Sequence, residues 1–429
     1  MRLPEPLAPL RDRRFAWYYG ARFTSIAGSS MAPVALTFAV LHLEDNASAL
    51  AQVLAARMIP MLILVLVGGV ISDRFSRTAV MQLSHGLTAL TQGAAATLII
   101  TGRAELWMII VLEALNGAVS AFTMPAMMGV VPQIVDRAYL RQANALLSFS
   151  QSGLFVVGPS IAALLVVTVG AGWALAADAI TYLLAIVLLT QVRLPKRESD
   201  GGVERTTMIH ELRDGWSEFV GRTWLWLVVV VAGFTNAIQG GAWFVLGPVI
   251  AKATPGIGER GWGLILSAQA VGVLLMTVLM LKLSFRHPLR AGMLSVSAFA
   301  IPMLLLGLRP GLWPLMVASF VAGLGVEVFG VGWSTALHEH IPEEILSRVS
   351  SYDLLGSFVA IPVGMLLYGW LVTVFDVRSV LLVSFMAYVT LALGSLMSGS
   401  IRNLQSLAHT SGREDPPTGA APEATLAGR

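Results

Sequence analysis

The sequence predicts an all-α membrane protein of twelve transmembrane helices in two six-helix halves, with both termini cytoplasmic. Three observations predict it. Of 429 residues, 56% are hydrophobic and 12% charged, about half the charged share of a soluble domain. Lys and Arg concentrate in alternate loops. One long polar interruption, Arg193 to Arg222, separates six apolar stretches from six more.

A mean hydropathy of +0.74 leaves more apolar surface than one soluble core can hide, so the lipid bilayer is the expected solvent. The pI near 9.4 rests on a net charge of +3 scattered over loops, which argues against a nucleic-acid-binding face. Cysteine is absent, excluding disulfides, thiolate metal sites and a cysteine nucleophile. No Gly-x-x-x-x-Gly-Lys-Ser/Thr run supplies a P-loop, so ATP is not the expected energy source. No nucleophile elbow or paired-acid signature suggests an enzyme, and no cofactor is implied. Arginine outnumbers lysine 25 to 3, a bias of GC-rich bacterial genomes, so a bacterial inner (plasma) membrane is expected.

In chain order, residues 1–14 form a cytoplasmic N-tail. Its Arg13-Arg14 pair resembles a twin-arginine signal, but the apolar stretch to Leu43 is too long for a signal core and reads as the first helix. Hydropathy places spans near 15–42, 49–72, 79–101, 106–133, 144–168 and 173–192 in the N-terminal half, residues 15–192. The C-terminal half, residues 223–400, has spans near 223–250, 262–284, 290–308, 312–338, 349–374 and 379–400. At about 1.5 Å per residue each can cross roughly 30 Å of hydrocarbon. Breakers or charges mark the junctions, among them Glu44-Asp45-Asn46, Val169-Gly170 and Phe375-Asp376. The linker, 193–222, places Met208, Ile209, Leu212, Trp216 and Phe219 at helical spacing, an amphipathic helix lying on the membrane or packed on the helix ends. The tail, 401–429, reads as disordered.

Charge orients the bundle. With the N-terminus inside, 21 Lys and Arg fall on the cytoplasmic side and five outside, with Arg22 and Arg57 within spans. The halves also echo each other. Pro132 and Pro342 end spans 4 and 10, while Pro159 and Pro362 sit in spans 5 and 11, separations of 210 and 203 residues. A duplicated six-helix unit gives this spacing.

Between spans 2 and 3 stands Gly69-Val-Ile-Ser-Asp73-Arg74-Phe-Ser-Arg77. It resembles the Gly-x-x-x-Asp-Arg-x-Gly-Arg-Arg loop of the major facilitator superfamily, with Ser76 and Thr78 in place of the second glycine and the last base. Pro132-Gln-Ile-Val135 with Arg141-Gln-Ala143-Asn144, Gly158-Pro159, and Ser347-Arg348-Val349-Ser350 with Pro362-x-Gly364 are similar to the drug-efflux subgroup that includes macrolide efflux proteins and the enterobactin exporter. The resemblance runs from Arg11 to about Ser400. It implies a secondary active exporter of hydrophobic or amphipathic small molecules, coupled to protons by antiport and working by alternating access. Gly69, Asp73, Arg74 and Arg77 would form a conformational gate, with Asp73 facing the inner end of span 11. Gly158, Pro159, Pro362 and Gly364 would let helices 5 and 11 bend and pack closely. Where proton-coupled relatives carry an arginine in span 4, this chain has Glu113.

Charges within spans are costly and mark coupling or substrate candidates: Glu327, Glu113, Asp178, Arg57 and Arg22. Each has a plainer reading: Arg57 and Glu113 as a neutral pair, Asp178 as a cap, and Arg22 snorkelling to the surface. Glu327 shows no evident basic partner at its depth. Phe38, Asn236, Gln239, Trp243, Trp333, Tyr352 and Phe358 are candidate cavity-lining residues, with Met127 and Met128 as adaptable contacts. His338, Glu339 and His340 have metal-ligand chemistry, but alternate positions on a helix point apart, so no metal site is assigned. A monomer is expected. A dedicated exporter of one metabolite, such as a siderophore or self-made antibiotic, fits the same features. A non-transporting sensor or scaffold remains a third reading.

Overall fold

The computed structural model describes residues 5–192 and 216–407 apart from Phe75, Gly129 and Pro310. Twelve long helices dominate, and there is no strand among the described residues. The first half contains α1 (Arg13–Leu43), α2 (Ala47–Arg74), α3 (Arg77–Ile100), α4 (Leu106–Met128), α5 (Leu140–Val169) and α6 (Ala171–Leu189). The second contains α7 (Thr223–Ala253), α8 (Gly258–Met280), α9 (Pro288–Leu308), α10 (Leu312–His340), α11 (Glu343–Phe358 continuing as Ala360–Val374) and α12 (Val377–Gly394).

Local chemistry starts and stops these helices. Asp12 caps α1 by accepting from Arg14 N at 2.7 Å, and Asp376 caps α12 by accepting from the backbone of Arg378 and Ser379. Asn46 caps α2 through Ala49 N at 2.7 Å. Gly170, at φ 96°, makes the one-residue corner between α5 and α6, a conformation that side chains oppose. Pro362 has no N–H to offer the preceding turn, and α11 is interrupted at Val359. In α7 the helix widens to a π turn over Gln239–Val245, where Gly240 and Gly241 bring its backbone against Ile361 and Tyr368 of α11.

Among the described residues, eleven helices are long and apolar enough to cross a membrane. The remaining one, α3, has the length at 24 residues but buries Ser84, His85, Thr88, Thr91 and Gln92 on one face. That polar stripe is a site-building feature, taken up below.

Within the first half, α2 packs on α4, α1 on α5 and α6, and α3 on α4 and α6. Adding six to each number gives the packing of the second half: α8 on α10, α7 on α11 and α12, α9 on α10 and α12. The halves meet through α2 with α11 and α5 with α8, pairs that exchange under the same operation. Two related units facing each other produce this pattern.

The buried cores show which end is closed. We call the end where α1 finishes and α2 begins the upper end. One core cluster there runs through both halves, from Leu36, Leu41 and Leu50 to Trp243, Trp262 and Phe299. At the lower end the halves have separate cores. One centres on Phe15, Met81 and Val130, the other on Trp224, Met293 and Leu337. The halves are joined above and independently packed below.

At the edges one expectation changes and one alternative is favoured. The tail expected to be disordered from 401 stays packed as far as Leu407: Ile401 is fully buried, and Glu339 accepts from Ser406 Oγ and Leu407 N, both at 2.9 Å. From the linker, Trp216 and Phe219 lie against the ring of Tyr352 at 5.4 and 5.8 Å, packed on the end of α11. Met208, Ile209 and Leu212 lie outside the described residues.

Candidate functional site

In the first half, four helices converge on a buried polar cluster. Arg57 of α2 donates to Glu113 of α4 at 3.4 Å, and Gln92 of α3 donates to the other Glu113 oxygen at 3.3 Å. The helices can approach because Gly117, one turn beyond Glu113, rests on the Arg57 carbonyl, where a Cβ would collide. Asp178 of α6 is 1% exposed and within electrostatic reach of both Arg57 and Glu113. Its carboxylate lies against Gly28 of α1, again where no Cβ fits, and its Oδ1 has no hydrogen-bond partner among the described residues. A turn further on, Tyr182 shares a 2.8 Å hydrogen bond with Ser29 and meets the His85 ring at 5.2 Å. The pairing expected for Arg57 and Glu113 is present. Asp178 caps nothing: α6 starts a full turn or more earlier, at Gly170, and Asp178 faces inward. His85, Gln92 and Tyr182 were not singled out from sequence, although the spacing of 84, 85, 88, 91 and 92 marks one helix face.

The second half holds a cavity of about 240 Å³ between α7, α9, α10, α11 and α12. Asn236, Gln239, Trp333 and Phe358, four of the expected lining residues, come together there. Phe329 and Trp333, one helical turn apart, stack at 9° between planes and form one wall. Among the described lining residues Asp353 of α11 is the single charged one, and sequence reasoning passed over it. It accepts from Trp333 Nε1 at 2.9 Å and from Ser357 Oγ at 3.1 Å. An acid inside span 11 with a serine one turn on was the available signal.

The other three lining candidates lie elsewhere. Phe38 and Trp243 are fully buried in the shared upper core, where Trp243 packs on Trp262 and Phe299. Tyr352 is taken up by the linker aromatics. Apolar side chains near the closed end serve the packing between halves, and a sequence shows their depth without showing their direction. Glu327 of α10 accepts from Thr277 Oγ1 of α8 at 2.8 Å. Arg22 of α1 contacts the sulfur of Met127 within the first half.

The halves are latched at the upper end. Lys252 of α7 donates to the Leu41 carbonyl and to Asp45, while His42 meets Glu259 of α8. Gly369 of α11 rests on Ala47, Ser48 and Ala51 of α2, and Gly263 of α8 rests on the Pro159 backbone of α5. Gly158 fits α5 against Ser30 of α1, and Gly364 fits α11 against the Ala237 carbonyl of α7. The proline-glycine positions thus allow close packing in both halves. At the lower end, Gly69, Asp73 and Arg74 fall in the last turns of α2, and their side chains lie outside the described residues. Arg77 opens α3, half-buried. His338, Glu339 and His340 have separate uses: the two histidines bond to carbonyls of their own helix and Glu339 holds the tail.

Residues 4–417 match the family model described as transmembrane secretion effector. The multidrug efflux pump Tap of Mycolicibacterium fortuitum is 25% identical over 365 residues, covering 81% of this chain and 87% of that protein. The staphyloferrin A transporter of Staphylococcus aureus is 22% identical over 294 residues, covering 68% and 72%. In fold, the chain is similar to a variant of the nucleoside transporter NupG at TM-score 0.75 and 13% identity, covering 90% of this chain and 99% of that one.

Proposed function

Because the chain belongs to the transmembrane secretion effector family of major facilitator transporters, we propose that it exports hydrophobic or amphipathic small molecules by proton antiport, through alternating access. Membership makes it a multi-pass membrane transporter and no enzyme. Direction, cargo and coupling are the proposal. The observation that carries it is an aromatic-walled cavity in one half together with carboxylates buried at membrane depth in the other. Glu113 and Asp178 sit where a proton can neutralise one charge of a crowded group, and Glu327 offers a further acid on α10. Charge counting puts the lower end in the cytoplasm, so the halves would open inward to load cargo and rock to release it outside. Asp73, Arg74 and Arg77 would then work at the inner gate.

The test is efflux from proteoliposomes loaded with a panel of lipophilic compounds. Collapse of the proton gradient should abolish efflux, and undiminished efflux would rule out proton antiport. A second reading, a dedicated siderophore or metabolite exporter, is favoured by the likeness to the staphyloferrin A transporter. Response to one compound of the panel supports it; response to several supports the drug-pump reading.

A further inference from the structure

We propose that Asp353 and the rings around it form a binding subsite for the cationic group of an aromatic amphipath, wholly inside the second half. The inference rests on the transport reading above and narrows its cargo. At about 240 Å³ the cavity is smaller than the roughly 300–1,000 Å³ of complete small-molecule sites, which suits one ring or headgroup.

The chemistry is specific. Among the described residues no Lys, Arg or His lines the cavity, so the one negative charge of Asp353 has no cation beside it there. Its two hydrogen bonds come from neutral donors, Trp333 Nε1 and Ser357 Oγ, one to each oxygen. A carboxylate has about four acceptor sites, so lone pairs stay open and the negative charge faces a bound cation. The group is also aimed. Ser357 lies one turn further along the same helix, and Trp333 is braced from behind by Trp224 at 5.8 Å and 69°. Phe329 and Trp333 present parallel faces at 6.5 Å between centroids, the surface on which a cation is attracted to the ring quadrupole. Phe358, 42% exposed, adds a further ring to the lining. An anionic cargo would meet the carboxylate with repulsion, so the subsite discriminates by sign.

The measurement is equilibrium binding to purified full-length protein in nanodiscs, with no proton gradient. The probes are ethidium and tetraphenylphosphonium as cations and chloramphenicol as an uncharged amphipath. Asp353→Asn should weaken both cations at least about tenfold and leave chloramphenicol within about twofold. Asp353→Glu keeps the charge and should hold the cations within about threefold. Gln239→Glu adds a second acid to the same cavity and should tighten ethidium about threefold, a gain that does not depend on the Asn variant folding. Unchanged cation affinity in Asp353→Asn, equal loss of all three probes in a monodisperse variant, no gain in Gln239→Glu, or a wild type that binds neither cation overturns the proposal. Binding is read without a gradient, so failure of proton-driven efflux would count against the coupling mechanism alone.

Discussion

Lys252, near the top of α7, holds its Nζ 2.6 Å from the Leu41 carbonyl oxygen and 2.9 Å from Asp45 Oδ1, on the opposite half of the molecule. The carboxylate is 77% exposed and the ammonium 26%, so the pair is a surface latch. Lys252→Ala should open the upper end modestly, by the roughly 0.2–1 kcal/mol of an exposed pair. The chain has no cysteine, so Ala51→Cys, buried against α11 where the two halves meet, is a reporter on a thiol-free background. Its maleimide labelling should rise about two- to fivefold in the Lys252→Ala background.

Gly369 predicts a larger effect from a smaller group. A Cβ there would strike Ala47 and Ser48 backbone atoms of α2 and the Ala51 side chain. Gly369→Val should keep the halves from meeting above while leaving each half folded. Proteoliposome efflux should fall at least about tenfold with yield and monodispersity near wild type. Wild-type efflux would show that this approach is dispensable.

The Arg57–Glu113 pair is half inside and half out: Glu113 is 1% exposed and Arg57 28%. Arg57→Met should destabilise toward the lower end of the roughly 3–5 kcal/mol for breaking a buried pair, because the guanidinium is only partly enclosed. Arg57→Met with Glu113→Gln should recover most of that loss, since both charges are then gone. Thermal unfolding in detergent compares the three variants.

Glu327→Gln keeps the Thr277 hydrogen bond and removes the charge. If Glu327 carries the coupled proton, gradient-driven efflux should fall at least about tenfold while equilibrium cargo binding stays near wild type. Full gradient-driven efflux would remove it from the coupling group.

Helix number, order and repeat were legible because hydropathy and breakers act along the chain, and Pro132, Pro159, Pro342 and Pro362 kept their spacing. The site was only partly legible. Asn236, Gln239, Trp333 and Phe358 were recognisable as polar or aromatic residues at depth, and they line one cavity. Phe38 and Trp243 have the same composition signal and opposite surroundings, because direction depends on which helices the two halves place beside them. Asp353 escaped although it falls inside the expected span 349–374: it stands about one turn from that span's lower limit, where a charge is ordinary, and its enclosure by α10 and α7 is not written in the sequence. The α3 stripe escaped for the reverse reason: His85, Thr88 and Gln92 are uncharged, and a search for intramembrane charge does not register them.

The π turn at Gln239–Val245 carries one residue more than an α-helical turn requires. Passing that surplus residue along α7 would swivel Leu246–Ala253 by about 100° and slide it about 1.5 Å. Lys252 rides on that segment. A rewinding in the middle of one helix would therefore swing its ammonium away from Leu41 and Asp45, and would have to displace the Trp262 ring on which Gly247 of the same segment rests. A surplus residue of this kind would tie a change beside the α7–α11 contact to the grip at the upper end.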